Sequence, residues 1–258
     1  MVWYAAKADR PMRIGDLNSP RNLILAVETS SRTGSVAIAD HKGILTYRPF
    51  TGQLQHNTQL LPTVRAMLKQ LGARSDQVTQ VYIACGPGSF TGIRMAVTMA
   101  KTMHLALGTK VVALDSLDVI AANVPPEELD DHILISILDA KMGRFFVAAY
   151  CKAEGIDQGQ QVPGLVKLVE DTVATSQQIR NMITELGRTA LLVGDGLLYY
   201  RKLFTAPDIV IMDREYWGPT ALNVYRLGRI RATSGLFEDP LKLVPNYLMP
   251  PQVTLPRQ

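Results

Sequence analysis

The chain has 258 residues, of which 47% are hydrophobic, and it carries 27 lysines and arginines against 23 aspartates and glutamates. This composition excludes disordered and fibrous proteins, and the length suffices for one large domain or two lobes. The formal net charge of +4 comes from residues spread along the chain, without a block of five or six like charges. Contact with nucleic acid is therefore permitted but not indicated.

The first 22 residues predict a flexible N-terminal arm. They contain charged residues and prolines but no apolar run long enough for a signal peptide, and Met12 is an alternative start. No stretch of 18 or more apolar residues occurs, which excludes a membrane-spanning helix. Cys85 and Cys151 form neither a metal motif nor a disulfide framework, so we expect a reducing, cytoplasmic setting.

The first half of the chain predicts an antiparallel meander followed by a helix. Three short apolar runs between polar turns predict strands over 23–28, 35–39 and 44–47. A helix begins near His56, because the apolar residues that follow recur at helical spacing, and Gly72 ends it.

A glycine-rich loop, Cys85–Arg94, links a predicted buried strand over 81–84 to a helix from about Gly92 to Leu107. Its glycines permit positive φ and close backbone approach, and Ser89 or Thr91 can cap the helix. The loop matches neither the dinucleotide fingerprint, which needs a glycine at position 91, nor the P-loop, which needs a lysine after Gly92. A tightly packed structural turn and an anion site at the helix start both remain open.

The second half repeats the order of the first. After a strand over 111–114 and a short helix over 116–122, the proline-rich segment 124–128 predicts a boundary between an N-terminal lobe of residues 23–124 and a C-terminal lobe of residues 125–258. The second lobe predicts strands over 132–138, 144–150, 165–169 and 190–193, and helices over 176–186, 197–204 and 219–234. The repeated order indicates a duplicated α/β fold with a cleft between its lobes.

The helix after the glycine-rich loop carries two apolar stripes. The first consists of Ile93, Ala96, Val97 and Ala100, and the second of Met95, Met99, Met103 and Ala106. A helix that is apolar on two sides is usually buried on both. The second stripe is explained either by another element of the same chain or by a partner protein, for which methionines make an adaptable contact surface.

No complete catalytic constellation is present in the sequence. The four histidines lack the spacing of a metal site on a helix, and Phe90 occupies the place where a nucleophile elbow needs serine. Glu28 and Asp139 end the first strands of the two lobes. These two acids would face each other across the cleft as a candidate metal or phosphate pair, with ordinary turn-forming acids as the alternative.

Several motifs together resemble the TsaB (YeaZ) family. They are Ala26–Ser30, His56 with Leu60–Pro62, Gly86–Arg94, Ala100–Lys101 and Leu138–Gly143. The resemblance covers residues 23–150 well and the second half in outline. It implies the two-lobed fold of the actin, sugar-kinase and Hsp70 superfamily, each lobe a mixed sheet with helices.

The resemblance also implies a role beside an enzyme. Members of this family support synthesis of threonylcarbamoyladenosine next to the tRNA anticodon, while a paralogous subunit, TsaD, makes the transfer together with the ATPase TsaE. The two metal-binding histidines of that paralogue fall on Ser116 and Ile120 here, and isoleucine cannot ligate a metal. We therefore expect no catalytic residue, no metal and no cofactor in this chain, with tRNA reached through the complex.

A vestigial nucleotide cleft is a further expectation from the resemblance. Its candidate residues are Glu28, Thr29, Ser30, Gly34, Asp139, Gly194 and Gly196.

The family's role as a scaffold implies that helices of the first lobe pair with the equivalent helices of TsaD, or of a second copy. The interface residues expected from it are His56, Leu60, Val64, Met67, Arg94, Met95, Met99, Thr102 and Met103. Met99→Glu is then expected to weaken association and leave the isolated fold largely intact. Two other hypotheses stay open: an independent ATP- or metal-dependent phosphotransferase or metallopeptidase, and a direct tRNA binder.

Overall fold

The computed structural model describes residues 22–50, 56–155 and 161–250, with the side chains of the first helix described from residue 58 onward. The predicted N-terminal arm lies outside these residues, apart from Asn22.

The first sheet has five strands in the order β3-β2-β1-β4-β5. The strands β1, β2 and β3 form the predicted antiparallel meander, and β4 and β5 run parallel to β1. Their bounds are β1 Leu23–Glu28, β2 Ser35–Asp40, β3 Gly43–Pro49, β4 Val78–Gly86 and β5 Lys110–Asp115.

The second sheet repeats this topology in the order β10-β9-β6-β7-β8. Here β6, β7 and β8 form the meander, and β9 and β10 run parallel to β6. Their bounds are β6 Ile133–Lys141, β7 Arg144–Lys152, β8 Leu165–Thr175, β9 Ala190–Val193 and β10 Ile209–Ile211. The predicted fold class, a duplicated two-lobed α/β fold, is confirmed.

Six α-helices pack on these sheets within the described part of the chain. They are α1 His56–Gln70, α2 Phe90–Leu107, α3 Ser116–Ala121, α4 Ser176–Leu186, α5 Leu197–Tyr200 and α6 Ala221–Thr233. One face of the first sheet packs against α1 and α2 in a core of its own. The other face shares a second core with the second sheet, α3 and α6.

The last helix, α6, packs differently from the expectation. It was predicted as part of the C-terminal lobe, yet it lies against β1, β2, β4 and β5 of the first sheet. Small residues allow this approach, because a Cβ at Gly228 would lie 2.5 Å from the ring of Tyr82. A segment of the second half of the chain thus completes the core of the first lobe, and the lobe boundary at residue 124 stays a prediction.

The helix α2 begins two residues earlier than predicted. The Ser89 side chain accepts a hydrogen bond from the backbone N–H of Gly92, which fixes the start of the helix, and Gly108 ends it at a positive φ of 70°. The predicted first stripe is buried against the sheet. Hydrogen bonds of the glycine-rich loop therefore fix where α2 begins, and its buried stripe fixes the helix against the sheet.

Three details of the second lobe differ from the prediction. The strand β8 continues to Thr175, beyond the predicted apolar run, through the polar residues Glu170, Asp171 and Thr172, which local apolar pattern does not mark as strand. The helix predicted over 197–204 is α-helical only to Tyr200 and continues as a 3₁₀ helix. The three-residue β10 is too short to give a periodic signal.

A buried ion cluster joins the two lobes. Asp118 on α3 accepts hydrogen bonds from Lys167 Nζ and from the Tyr150 hydroxyl, both at 2.7 Å, and Lys167 also pairs with Asp171 at 2.8 Å. Both acids and the lysine are largely buried. Removal of one partner would leave an uncompensated charge, so the cluster fixes α3 against the second sheet.

Among the described residues, no helix is both long and apolar enough to cross a bilayer.

Candidate functional site

A cleft of about 400 Å³, lined by both polar and apolar side chains, lies between the lobes. The turn after β1 and the glycine-rich loop line it from the first lobe, and the β6–β7 turn and Asp195 line it from the second. Residues 246–250, near the C-terminus, line it as well.

The glycine-rich loop packs directly on the turn after β1. Gly88 has a φ of 153°, and a Cβ there would lie 2.2 Å from the carbonyl oxygen of Ser30. The N–H of Ser89 donates to the same oxygen at 2.6 Å, and the Thr29 hydroxyl donates to the carbonyl of Gly92 at 2.8 Å. The glycines of the loop are therefore needed for backbone contact, as the structural explanation requires, and an anion site at the helix start stays a prediction.

Glu28 is a fully buried carboxyl group behind this turn. Its Oε1 accepts hydrogen bonds from the N–H and the hydroxyl of Ser30, and its Oε2 has no partner within the described residues. Burial, with a smaller contribution from the nearby Asp195, raises the pKa of Glu28 to about 8. The group is therefore mostly neutral at pH 7 and is a poor metal ligand.

Asp139 has cations as partners. Its carboxylate lies 2.6 Å from Lys141 Nζ and 3.7 Å from an Nη atom of Arg32 in the other lobe. Asp195 accepts the N–H of Asp139 at 3.5 Å, and burial raises the pKa of Asp195. The expected pair of Glu28 and Asp139 is thus replaced by an ion pair between the lobes.

The three glycines of the expected nucleotide cleft make contacts inside the protein and do not line the cleft. A Cβ at Gly194 would lie 1.9 Å from the carbonyl oxygen of Ile137, and a Cβ at Gly196 would lie 3.1 Å from the Phe145 ring. The carbonyl oxygen of Gly34 accepts a hydrogen bond from Phe50. Of the expected set, Ser30 and Asp139 line the cleft itself.

Ser116 and Ile120, the places of the paralogue's metal ligands, are both fully buried on α3. The Ser116 hydroxyl has no partner among the described residues, and Ile120 packs in the core. No group of three histidine, cysteine or acidic side chains that could hold a metal ion occurs in 22–50, 58–155 and 161–250.

The C-terminal segment 238–250, here called the strap, returns to the first lobe. Glu238 donates its N–H to Val111 on β5, and Asn246 donates its N–H to Cys85 at 2.8 Å and its side-chain amide to Asp115 at 3.2 Å. Tyr247 stacks on Phe90 with 5.0 Å between ring centroids. The strap therefore closes the side of the cleft next to α2.

An apolar groove of about 1050 Å³ lies between α1 and α2, on the outer face of the first lobe. It brings together most of the expected interface residues: Leu60, Val64, Arg94, Met95, Met99, Thr102 and Met103. Met67 instead is fully buried in the core beneath α1. The side chain of His56 lies outside the described residues.

The side chain of Met99 is buried, whereas it was expected in an exposed interface. Its side chain is only 7% exposed and belongs to the core formed by the first sheet, α1 and α2. The expectation that Met99→Glu leaves the fold largely intact is therefore wrong, because a carboxylate there would be buried without a partner. Met95 and Met103 are half-buried, and their exposed parts line the groove.

Sequence reasoning missed several residues of the groove. Leu61, which is 65% exposed, and Leu107 contribute apolar surface, and Arg65 and Lys69 form its rim. Their spacing on α1 was a usable signal: Leu61, Arg65 and Lys69 recur every four residues and so share one helical face.

Comparisons with known proteins agree with this architecture. A family model described as "TsaD: tRNA N6-adenosine threonylcarbamoyltransferase" matches residues 34–207. The Bacillus subtilis "tRNA threonylcarbamoyladenosine biosynthesis protein TsaB" is 26% identical over 231 residues, covering 87% of this chain and 93% of that protein. The Escherichia coli protein with the same description is 24% identical over 199 residues, covering 77% and 82%.

Two solved structures from Pseudomonas aeruginosa share the fold. A protein described as similar to peptidase YEAZ gives a TM-score of 0.71 at 22% identity, covering 88% of this chain and all of that one. A structure described as YeaZ gives a TM-score of 0.67 at 20% identity, covering 87% of this chain and all of that one. The chain therefore belongs to the TsaB (YeaZ) family and shares the fold that the TsaD model describes.

Proposed function

We propose that this chain acts in the synthesis of threonylcarbamoyladenosine in tRNA as a non-catalytic subunit that docks on the TsaD protein. The observation that carries the proposal is the open apolar groove between α1 and α2. The names of the relatives supply the pathway, and the groove supplies the means of association.

The groove has the chemistry of a helix-binding surface. Leu61 is 65% exposed and Leu107 is 39% exposed, and the half-buried side chains of Met95 and Met103 line the same groove. Exposed apolar side chains that line one groove mark interaction sites, and methionines adapt to the shape of a partner. A helix, or a pair of helices, presenting an apolar stripe would bury this surface.

The cleft supports an accessory role. The alternative, an independent ATP- or metal-dependent enzyme, would use acids at the ends of β1 and β6. Glu28 is mostly neutral there because burial raises its pKa to about 8, and Asp139 is paired with Lys141 and Arg32. Neither carboxyl group is free to hold a metal–phosphate complex.

The other components follow from this role. The ATPase TsaE and the tRNA would join through the assembled complex in the cytoplasm. The alternative occupant of this groove is a second copy of the chain, which would form a homodimer.

A matched pair of variants tests the docking face. Leu61→Asp places a charge inside the groove, whereas Leu241→Asp places one on the strap outside it, at a residue that is 61% exposed. Both should fold normally, since both side chains are largely exposed. By calorimetry with TsaD from the same organism, Leu61→Asp should weaken binding by at least about tenfold, or about 1.4 kcal/mol, and Leu241→Asp should not. Equal affinities of the two variants would contradict the proposal.

Reconstitution tests the accessory role. The modified nucleoside should form only when TsaD is present together with this chain. Turnover of ATP by the purified chain alone, reduced by Asp139→Asn, would favour the enzyme alternative.

A further inference from the structure

Tyr199, on α5 of the second lobe, is an aromatic side chain that is held in place at the surface. It is 60% exposed, whereas the next residue, Tyr200, packs its ring against Phe145 with 5.2 Å between ring centroids. The guanidinium carbon of Arg32, from the first lobe, lies 4.5 Å from the centre of the Tyr199 ring. An Nη atom of Arg32 also donates to the Tyr199 hydroxyl at 3.1 Å. A ring that is covered on one face and still mostly exposed presents its other face to solvent.

Cations continue from Arg32 along the tip of the β6–β7 hairpin. Arg32 and Lys141 share Asp139, whose side chain is only 6% exposed, and Lys141 lies directly opposite Arg144 across the hairpin. Arg144 is exposed and forms no ion pair within the described parts of the chain. Tyr199, Arg32, Lys141 and Arg144 are here called the hairpin patch. Three cations share one acid, so the patch keeps a positive charge, and it lies at the mouth of the cleft, since Tyr199 and Arg144 do not line the cleft itself.

The residues at the hairpin tip do not serve its stability. Like charges directly opposite each other on two strands repel, as those of Lys141 and Arg144 do here. Lys141 and Met142 also have positive φ values of 70° and 55°, a conformation that glycine adopts at lower cost. Backbone strain of this kind is concentrated at functional sites. The tip is therefore better explained by what its side chains contact outside the chain.

We infer that the hairpin patch binds a single-stranded stretch of RNA, with a base stacked on Tyr199 and backbone phosphates paired with Lys141 and Arg144. This inference rests on the proposed function, because it names the part of a tRNA that this chain itself would contact. Proteins that bind single strands combine exposed aromatic rings, on which bases stack, with cations that neutralise the phosphates. Arg32 would hold the ring in position from below.

An acidic protein segment would match the cations but not the ring. The face of a tyrosine ring carries partial negative charge and does not attract a carboxylate. The Tyr199 hydroxyl already accepts a hydrogen bond from Arg32. A nucleobase, in contrast, stacks favourably on any aromatic face, and the bases of a single strand are free to do so. The observations therefore favour single-stranded RNA.

Two substitutions at Tyr199 test the stacking. Tyr199→Phe keeps the ring and loses the hydrogen bond to Arg32, whereas Tyr199→Ala loses both. Fluorescence anisotropy measures affinity for an unmodified tRNA transcript, for the chain alone and for its mixture with TsaD. Tyr199→Ala should weaken binding about tenfold and Tyr199→Phe less than about twofold. Equal losses would assign the effect to the hydrogen bond, and these or the absence of any loss would overturn the inference.

A matched pair of arginine substitutions tests the charges. Arg144→Gln removes an exposed cation of the patch, and Arg188→Gln removes an exposed cation at the opposite end of the second sheet, between α4 and β9. Each phosphate contact of a single strand contributes about 0.7 to the slope of log affinity against log salt concentration. The slope should become shallower by about 0.7 in Arg144→Gln and stay unchanged in Arg188→Gln. Identical slopes would contradict a phosphate contact at Arg144.

The outcomes separate this inference from the proposed function. If Leu61→Asp weakens TsaD binding while Tyr199→Ala and Arg144→Gln keep the RNA affinity of the wild type, the inference fails and the proposed function stands. The reverse result would support the RNA surface and count against the docking face. If the patch variants weaken binding of TsaE and leave RNA affinity unchanged, the patch is a protein surface and the inference is overturned.

Discussion

The cleft and the groove lie on opposite sides of one element, the start of α2. Phe90 and Thr91 line both. On the cleft side, the polar groups of the loop and turns are largely paired within the chain, and the strap closes over them. On the groove side, leucine and methionine side chains are exposed and three cations have no acidic partner. We therefore expect a large partner to bind at the groove rather than in the cleft.

The strap accounts for much of this difference. Asn246 forms hydrogen bonds with Cys85 and Asp115, which lie at the carboxyl ends of the parallel strands β4 and β5. In an open α/β sheet the carboxyl ends of parallel strands are the usual place for a ligand. Here the protein's own backbone and amide occupy that place, while no described segment covers the groove.

The largest expected effect comes from disturbing the floor of the cleft. Gly88→Ala would set a Cβ 2.2 Å from the backbone oxygen of Ser30, whereas Gly43→Ala has a similar φ of 142° with nothing within 4 Å. Both substitutions place alanine in a strained backbone conformation with positive φ, and only Gly88→Ala adds a steric clash. We expect losses of about 4 kcal/mol and about 1–2 kcal/mol in the free energy of unfolding by urea titration. Equal losses would mean that the loop is not tightly packed on Ser30.

The second effect concerns the neutral carboxyl of Glu28. Because its pKa is raised from 4.5 to about 8 in the folded state, folding takes up a proton, and stability should fall as pH rises between those values. The slope is at most about 1.4 kcal/mol per pH unit. The side chain in Glu28→Gln cannot titrate. The free energy of unfolding of this variant, relative to that of the wild type, should therefore rise by about 2 kcal/mol from pH 6 to pH 7.5.

This window also separates Glu28 from a second buried acid. Burial raises the pKa of Asp171 to about 6, so its contribution changes mostly below the window. Urea titrations of wild type and Glu28→Gln at the two pH values give the difference directly. A difference that does not change with pH would show that Glu28 is ionised in the folded protein.

The fold could be predicted from local patterns where those patterns decide the structure. Alternating and continuous apolar runs gave both meanders, and the helical spacing of α2 gave its buried stripe. The position of α6 could not be predicted in this way, since its apolar residues fit the face of either sheet. The strap has no periodicity, and the hydrogen bonds of Asn246 and Tyr247 to the first lobe join residues more than 100 positions apart.

The candidate sites were predictable to different degrees. Helical periodicity grouped Met95, Met99 and Met103 on one side of α2, because that helix is long and regular, and the role of this side as an interface stays a prediction. It could not separate Met99 from Met95, since one turn of helix decides which methionine faces the core. The ion pair of Asp139 with Arg32 depends on how the lobes meet, and no local pattern contains that information.

The smallest effect concerns the wall between cleft and groove. Two arginine–tyrosine pairs have the same chemistry: Arg94 Nε donates to the Tyr247 hydroxyl, and an Nη atom of Arg32 donates to the Tyr199 hydroxyl at 3.1 Å. Tyr247→Phe and Tyr199→Phe should each lower the free energy of unfolding by about 0.5–1 kcal/mol, because both arginines can turn to water instead. Only Tyr247→Phe loosens an arginine that lines the groove, so it alone should slow association with TsaD in stopped-flow mixing. Equal association rates would show that the strap closes the cleft without shaping the docking face.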